Sequence, residues 1–204
     1  MTLMHPTTLT GKLVTLEPLS LDHHDELVDA VLDGEVFNLW YTVVPTPEMM
    51  HQEILRRLDL QTRGTMVPWV SRRNSDGMLL GMTTYMDIEP DLPRLEIGST
   101  WNRASVSGTG TNVDAKLLLL THAFEVLGCP AVEFRTHWMN QASRTEIERL
   151  GAKLDGVLRA HRRMADGSLR DTCVYSIIES EWSQVRSGLE FRLAKRLETH
   201  REIS

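Results

Sequence analysis

The chain has 204 residues, of which 41% are hydrophobic and 25% charged, with a formal net charge of −6 at pH 7. That length suits one domain with a sizeable core and is short for two, and the composition excludes a disordered or fibrous chain. The acidic balance argues against nucleic acid as a direct partner and is compatible with cationic amine substrates.

In chain order, Lys12 to Leu19 alternates as a first strand, and Asp22 opens a helical stretch through Leu27, Val28, Val31 and Leu32. Thr46-Pro47-Glu48 reads as a second helix start, with a hydroxyl for the cap, a proline in the first turn and an acid near the positive dipole end; that helix runs towards Leu60. Met66 to Arg72, Leu79 to Tyr85 and Leu95 to Trp101, with a turn at Asp76-Gly77, predict a three-strand antiparallel meander. Val113, Leu117, Leu120, Phe124 and Leu127 then recur at helical spacing, and Gly128 supplies the stop. Leu118 and Leu119 widen the apolar surface, so this helix is expected between the sheet and another element. Ala131 to His137 alternates as a buried strand, and Asn140 to Leu150 forms a helix closed by Gly151. Two strands, about Leu154 to Met164 and Leu169 to Ile178, flank a hairpin turn at Asp166-Gly167. An amphipathic helix at about 181–198 carries Trp182, Val185, Leu189, Leu193 and Leu197; its stripe would serve a homodimer as readily as the core. The expectation is one mixed α/β domain over 1–204, with a mixed sheet of about seven strands flanked by helices and no repeat or linker.

No window approaches the ~18 apolar residues of a membrane span, and no apolar run with a basic flank precedes the first strand, so the chain is read as lacking a signal peptide and as cytoplasmic. Cys129 and Cys173 are too few and too far apart for a disulfide framework or a zinc site. His23 and His24 are helix neighbours that point to different sides, and no metal is expected.

The most informative segment is Ser107-Gly108-Thr109-Gly110-Thr111-Asn112, because glycines just before a strong helix let consecutive backbone N–H groups converge on an anion such as a pyrophosphate. A flexible Gly/Thr turn is the plainer reading. The Gly-Lys-Ser/Thr ending of a Walker loop is absent, and the loop does not follow the first strand of a parallel βαβ unit. The chain resembles the GNAT superfamily of N-acetyltransferases, whose pyrophosphate loop follows a fourth, antiparallel-paired strand and reads Gln/Arg-x-x-Gly-x-Gly/Ala. Ser107, Gly110 and Asn112 stand at the three defining positions, so the central glycine matches and the departures bear on side-chain contacts. The likeness extends through Leu95-Glu96-Ile97-Gly98, Ala115 to Leu119, His122-Ala123-Phe124-Glu125, Asn140-Gln141-Ala142-Ser143, Leu150-Gly151-Ala152, Gly156 to Arg159, Arg170-Asp171-Thr172 and Glu181-Trp182. Together these resemble the RimJ/RimL branch, the ribosomal-protein N-terminal acetyltransferases.

The resemblance implies acetyl transfer from acetyl-CoA to a primary amine by direct attack. It places the thioester near the backbone of Thr100, Trp101 and Asn102, and Asn140 against the pantetheine arm; helix capping is the structural alternative for Asn140. Many members carry a tyrosine on the following helix to protonate the leaving thiolate. Tyr41, Tyr85 and Tyr175 all fall elsewhere, and the resemblance leaves that role to Ser143, which with Glu146 also satisfies a capping box. Glu96 is the candidate general base, through water, and Glu133 its rival, although Arg135 two residues on would neutralise it. Trp40 and Tyr41 lie where the family builds its acceptor wall. Acceptor arithmetic favours a peptide terminus: at pH 7 about a seventh of an α-amine is neutral, against roughly one lysine in 2,500. A small amine, such as a drug or polyamine, shares every motif, and a catalytically silent CoA-binding module would explain the altered loop.

Overall fold

The alternating apolar segments pair into one eight-stranded mixed sheet with helices on both faces. This computed structural model describes residues 6–89, 92–164 and 166–203, with side chains to residue 198; the opening residues 1–5, over which the sequence reading finds no targeting signal, lie outside them. The elements are β1 (Leu9–Thr10), β2 (Val14–Pro18), α1 (His24–Leu32), α2 (Met50–Thr62), β3 (Met66–Arg73), β4 (Leu79–Glu89), β5 (Arg94–Asn102), α3 (Thr111–Thr121), β6 (Ala131–His137), α4 (Gln141–Leu150), β7 (Lys153–Arg163), β8 (Leu169–Ile178) and α5 (Glu179–Ile203). The sheet runs β1-β2-β3-β4-β5-β6-β8-β7. The strand beyond the expected seven is β1, two residues paired to Leu16 and Thr15, too short to carry a periodic signal.

Neighbouring strands are antiparallel except β5 and β6, which are parallel and matched in register only at Leu95–Val132 and Glu96–Glu133. Beyond those pairs the strands part. The cause lies in β5: Thr84 faces Gly98 and Met82 faces Trp101, so β5 spends one residue more than β4 over the same span. Ser99, at φ 47°, is the bulged residue, and a bulge bends its strand and interrupts the ladder.

Two cores sandwich the sheet. α1 and α2 bury Leu27, Val31, Met50 and Ile54 on one face with Val70 and Met82. On the other, α3, α4 and α5 bury Leu119, Leu120, Ile147, Leu150, Leu189 and Leu193 with Val67, Tyr85 and Phe134. The segment from Thr111 is helical as expected, but its register widens into a π turn over His122–Val126 before Gly128 turns at φ 67°. Its deepest face is also different: Asp114, Ala115, Lys116, Leu119 and Leu120 are buried, while Val113 and Leu117 are only partly so. Asp114 is there because its carboxylate accepts the amides of Leu13 and Val14, pinning β2 to α3. Thr46 precedes the proline turn as expected, but its hydroxyl turns to Glu48 and makes no cap bond.

Candidate active site

Where β5 and β6 separate, a cleft of about 1560 Å³ passes through the sheet. Its walls come from β5, the loop before α3, the start of α4, the end of α5 and, on the opposite face, the segment around Tyr41 and β6.

At one mouth the loop reaches α3 through Gly108 at φ 76° and Gly110 at φ 96°. Among the described residues no side chain caps α3, so its first amides are left for a ligand at the positive end of the helix dipole. Gly110 is required twice over. Its φ is left-handed, and a Cβ there would stand 3.2 Å from both Arg196 Cβ and Leu13 Cδ1. The close approach of α5 brings Arg192, Lys195 and Arg196 to the cleft wall beside the loop.

Two buried cations flank the β5 bulge, one on each face of the sheet. Arg57 of α2, 1% exposed, donates to Glu53 (2.7 Å), to Thr84 Oγ1 (2.7 Å) and to the Ser99 carbonyl (3.3 Å). Lys116 of α3 is buried on the opposite side, its Nζ 2.8 Å from Thr100 Oγ1 and 3.3 Å from Thr83 Oγ1, and those hydroxyls lie 2.9 Å apart. Glu53 offsets Arg57, whereas no carboxylate is paired with Lys116 among the described residues, and burial pushes Lys116 down to about 7.

Glu96 lies on the α1/α2 face, 5% exposed. Burial raises it to about 7 against the partial offset of Arg135, whose Nε is 3.6 Å away. Gly98 makes room for it: a Cβ there would meet Glu96 Oε1 at 2.6 Å and Met86 Sδ at 2.8 Å. Glu133, alongside Glu96 in register, is held by Arg135 at 2.7 Å and by Arg94. Of the two carboxylates, Glu96 is therefore the one not tied by a close ion pair.

A family model described as an acetyltransferase (GNAT) domain matches residues 14–153. The chain belongs to the GNAT acetyltransferase family. A crystal structure from T. thermophilus, described as an acetyltransferase, is 35% identical to it, with a TM-score of 0.81 over 94% of this chain and 100% of that one. Two more distant structures share the fold: Mycobacterium smegmatis RimJ in complex with CoA-disulfide (21% identity, TM-score 0.77, covering 94% and 96%) and a Salmonella typhimurium acetyltransferase described as modifying the N-terminal serine of ribosomal protein L7/L12 (19%, 0.74, 84% and 99%). No curated protein sequence matches the chain.

GNAT enzymes draw the acetyl group from acetyl-CoA, and the cradle fits that substrate: uncapped helix amides, two left-handed glycines and the basic side chains of α5 line the same mouth of the cleft. Ser107, Gly108, Gly110, Thr111 and Asn112 all line the cleft. Thr109 does not; its hydroxyl donates to the Val106 carbonyl at 2.7 Å and meets Thr111 Oγ1 at 3.1 Å, so it shapes the loop. Thr100, Trp101 and Asn102 line the cleft beside the bulge, and the buried Trp101 indole N–H has no partner among the described residues.

Asn140 and Ser143 both face the cleft, but the capping box drawn on Ser143 is wrong. Asn140 is the cap, its Oδ1 accepting the Ser143 amide at 3.0 Å, and Ser143 sits inside the first turn of α4. The cap occupies one atom of Asn140 and leaves its amide NH2 available. Tyr41 lines the cleft; Trp40 stands at the rim, its ring 5.5 Å from Tyr41 and 5.2 Å from His137. Sequence reasoning missed Lys116, Arg57 and the α5 cations. The Arg192-x-x-Lys195-Arg196 spacing, one helical face of positive charge, was the available signal for the last group. Among the described residues no helix is long and apolar enough to cross a membrane, and no group of His, Cys, Asp or Glu is placed to hold a metal.

Proposed function

We propose that this GNAT enzyme acetylates the α-amine at a peptide N-terminus. The observation that carries the reading is Glu96, a buried carboxylate raised to about 7 in the cleft wall, on the face of the sheet opposite the phosphate cradle. A proton moves from an ammonium to such a group at a cost set by the difference in pKa. From an α-ammonium near 7.8 that is about 1 kcal/mol, and from a lysine near 10.4 about 5 kcal/mol. The base is matched to the first and not to the second. The likeness to fold relatives described as N-terminal acetyltransferases points the same way.

In this reading Glu96 takes the acceptor proton through water, and Tyr41 with Trp40 forms the acceptor wall. Backbone groups of Thr100, Trp101 and Asn102 at the bulge polarise the thioester carbonyl, and Lys116 steadies the bulge from behind through its hydrogen bond to Thr100 Oγ1. Asn140 holds the pantetheine arm, Ser143 passes a proton to the departing thiolate, and the Ser107–Asn112 loop with the α5 cations holds the phosphates. Thiol release from acetyl-CoA, measured against N-terminal peptides, side-chain lysines and polyamines, tests the assignment. Release with free peptide termini and mass spectrometry placing the acetyl on the α-nitrogen uphold it. Release with polyamines alone moves the acceptor to small amines, and tight CoA binding without release to any amine favours a silent module.

A further inference from the structure

The face of the sheet that carries Glu96 also carries two arginines that the reading above leaves unused. Along β6 and β8, Glu133 faces Ser176, Arg135 faces Val174 and His137 faces Thr172, and opposed residues of an antiparallel pair share a face. Arg170 lies two residues before Thr172, and Arg162 of β7 is its partner across the strands. Glu96, Arg135, His137, Arg170 and Arg162 therefore line one face, the one α1 and α2 cover, while the phosphate cradle of α3 and α5 is on the other.

Arg162 reaches this wall through a built distortion. Between Leu158–Thr172 and Arg162–Arg170, β7 spends four residues against two of β8. Ala160 takes φ 48°, and Asp171 fixes the bulge by accepting the Ala160 amide at 2.8 Å and Arg159 Nε at 2.5 Å. A bulge of this kind re-aims the side chains that follow it. Asp171 is spent on that task and Arg135 on Asp87 and Glu133.

Arg162 and Arg170 themselves form no ion pair among the described residues, yet both line the cleft. Arg170 is half-buried and donates one bond, Nε to Thr172 Oγ1 at 3.1 Å, leaving its terminal nitrogens uncommitted. The local field is positive enough to register on the neighbours: His161, 3.1 Å from the same Thr172 hydroxyl, is held below its usual value by burial and then by Arg162, Arg135 and Arg170. The two guanidinium groups repel one another, Glu96 is the carboxylate that acts on each of them without an ion-pair contact, and each presents a donor fork. In a chain of net charge −6, such a pair is not explained by a general basic surface.

We propose that Arg162 and Arg170 form a carboxylate subsite for the acceptor, so that the enzyme selects amines that carry an acid close by. The ammonium approaches Glu96 and the acid lies along the β7–β8 wall. With the N-terminal peptide acceptor proposed above, on which this inference rests for its source of carboxylate, the acid is an Asp or Glu side chain within the first few residues. A free acidic amino acid offers the same chemistry.

Initial rates of acetyl transfer decide it, comparing peptides with Asp or Glu at the second to fourth positions, the same peptides with Asn or Gln, and free glutamate against glutamine. The acidic member of each working pair is expected to have a kcat/KM about tenfold higher, carried by KM, as for a charge-assisted bidentate contact. Arg162→Met and Arg170→Met are expected to bring that ratio towards one, and Arg162→Glu to invert it in favour of a lysine-bearing peptide. A preference seen only among the free amino acids, with the same dependence on the arginines, upholds the subsite and overturns the peptide acceptor instead. Equal rates for acid and amide in both series, or a preference that survives both arginine substitutions, overturns the subsite.

Discussion

Glu96 and Lys116 are two titratable groups that burial drives towards neutrality from opposite directions, both to about 7. For Glu96 the consequence is kinetic. A base must be ionised to accept a proton, so turnover is expected to rise with pH through about 7 and level off above it. Glu96→Gln is expected to lower kcat about a hundredfold, to remove that acid limb and to leave acetyl-CoA affinity nearly unchanged; an unaltered limb in the variant would assign the titration elsewhere. For Lys116 the consequence is also thermodynamic. Its pKa is depressed in the folded state, so between about 7 and the ordinary lysine value the unfolded chain binds the extra proton and stability rises with pH. Below about 7 both states are protonated and the folded state carries the full cost of an unpaired buried ammonium. Lys116→Met is therefore expected to unfold at a higher temperature than the parent at about pH 6, to lose that advantage as pH approaches about 10, and to turn over more slowly throughout. A variant less stable in the acid range would mean that the threonine hydroxyls compensate the charge.

At the scale of elements, Asn140 holds two roles that one substitution separates. Its Oδ1 caps α4 through the Ser143 amide, so Asn140→Ala is expected to cost about 1 kcal/mol of stability. Asn140→Asp keeps the acceptor oxygen, and the carboxylate suits a helix N-terminus, yet it removes the NH2 donor assigned to the pantetheine arm. Near-parental stability with weakened acetyl-CoA binding, by thermal melt and calorimetric titration, is the expected result; unchanged binding would confine Asn140 to capping. What the sequence made legible follows the same division. Ala131–His137 was readable because Val132, Phe134 and Thr136 alternate with Glu133, Arg135 and His137, and Leu169–Ile178 because the hairpin turn at Asp166-Gly167 marks where it begins. The turn from Ser107 to Asn112 was marked by two glycines ahead of a strong helix, and both take the left-handed φ that a turn there requires. The burial of Lys116 was not, since Leu117 to Leu120 make α3 apolar on every side and hide which face meets the sheet. Nor was the Ser99 bulge, because an ordinary serine carries its positive φ and only pairing across the sheet exposes the extra residue. Gly98, conspicuous in the sequence, proves to be there for the Glu96 carboxylate beside it.

For the whole molecule the puzzle is that a chain of net charge −6 has to attract a polyanionic substrate. The fold answers by segregating charge. α5 docks along the sheet through Trp182, which stacks on Phe124 with ring centroids 5.2 Å apart and donates to Glu125 at 2.8 Å, and through Leu189 and Leu193. The helix is thereby carried far enough for Arg192, Lys195 and Arg196 to line the cleft beside the loop before α3. Attraction is then local and competes with the repulsion of the rest of the surface, and the two respond differently to salt, because distant exposed charges are screened over about 8–10 Å while contacts at the phosphates are screened less. Acetyl-CoA affinity is expected to fall only modestly between low and physiological salt, and Arg192→Gln with Arg196→Gln together to weaken it roughly tenfold or more at either salt, as for lost charge-assisted bonds. Dephospho-CoA and CoA titrated against both proteins locate the contact. If the variant loses affinity equally for the two ligands, the α5 cations act on the pyrophosphate beside the helix terminus; if the loss is confined to CoA, they hold the 3′-phosphate; and affinity unchanged for both would detach α5 from the substrate and leave the helix a purely structural wall.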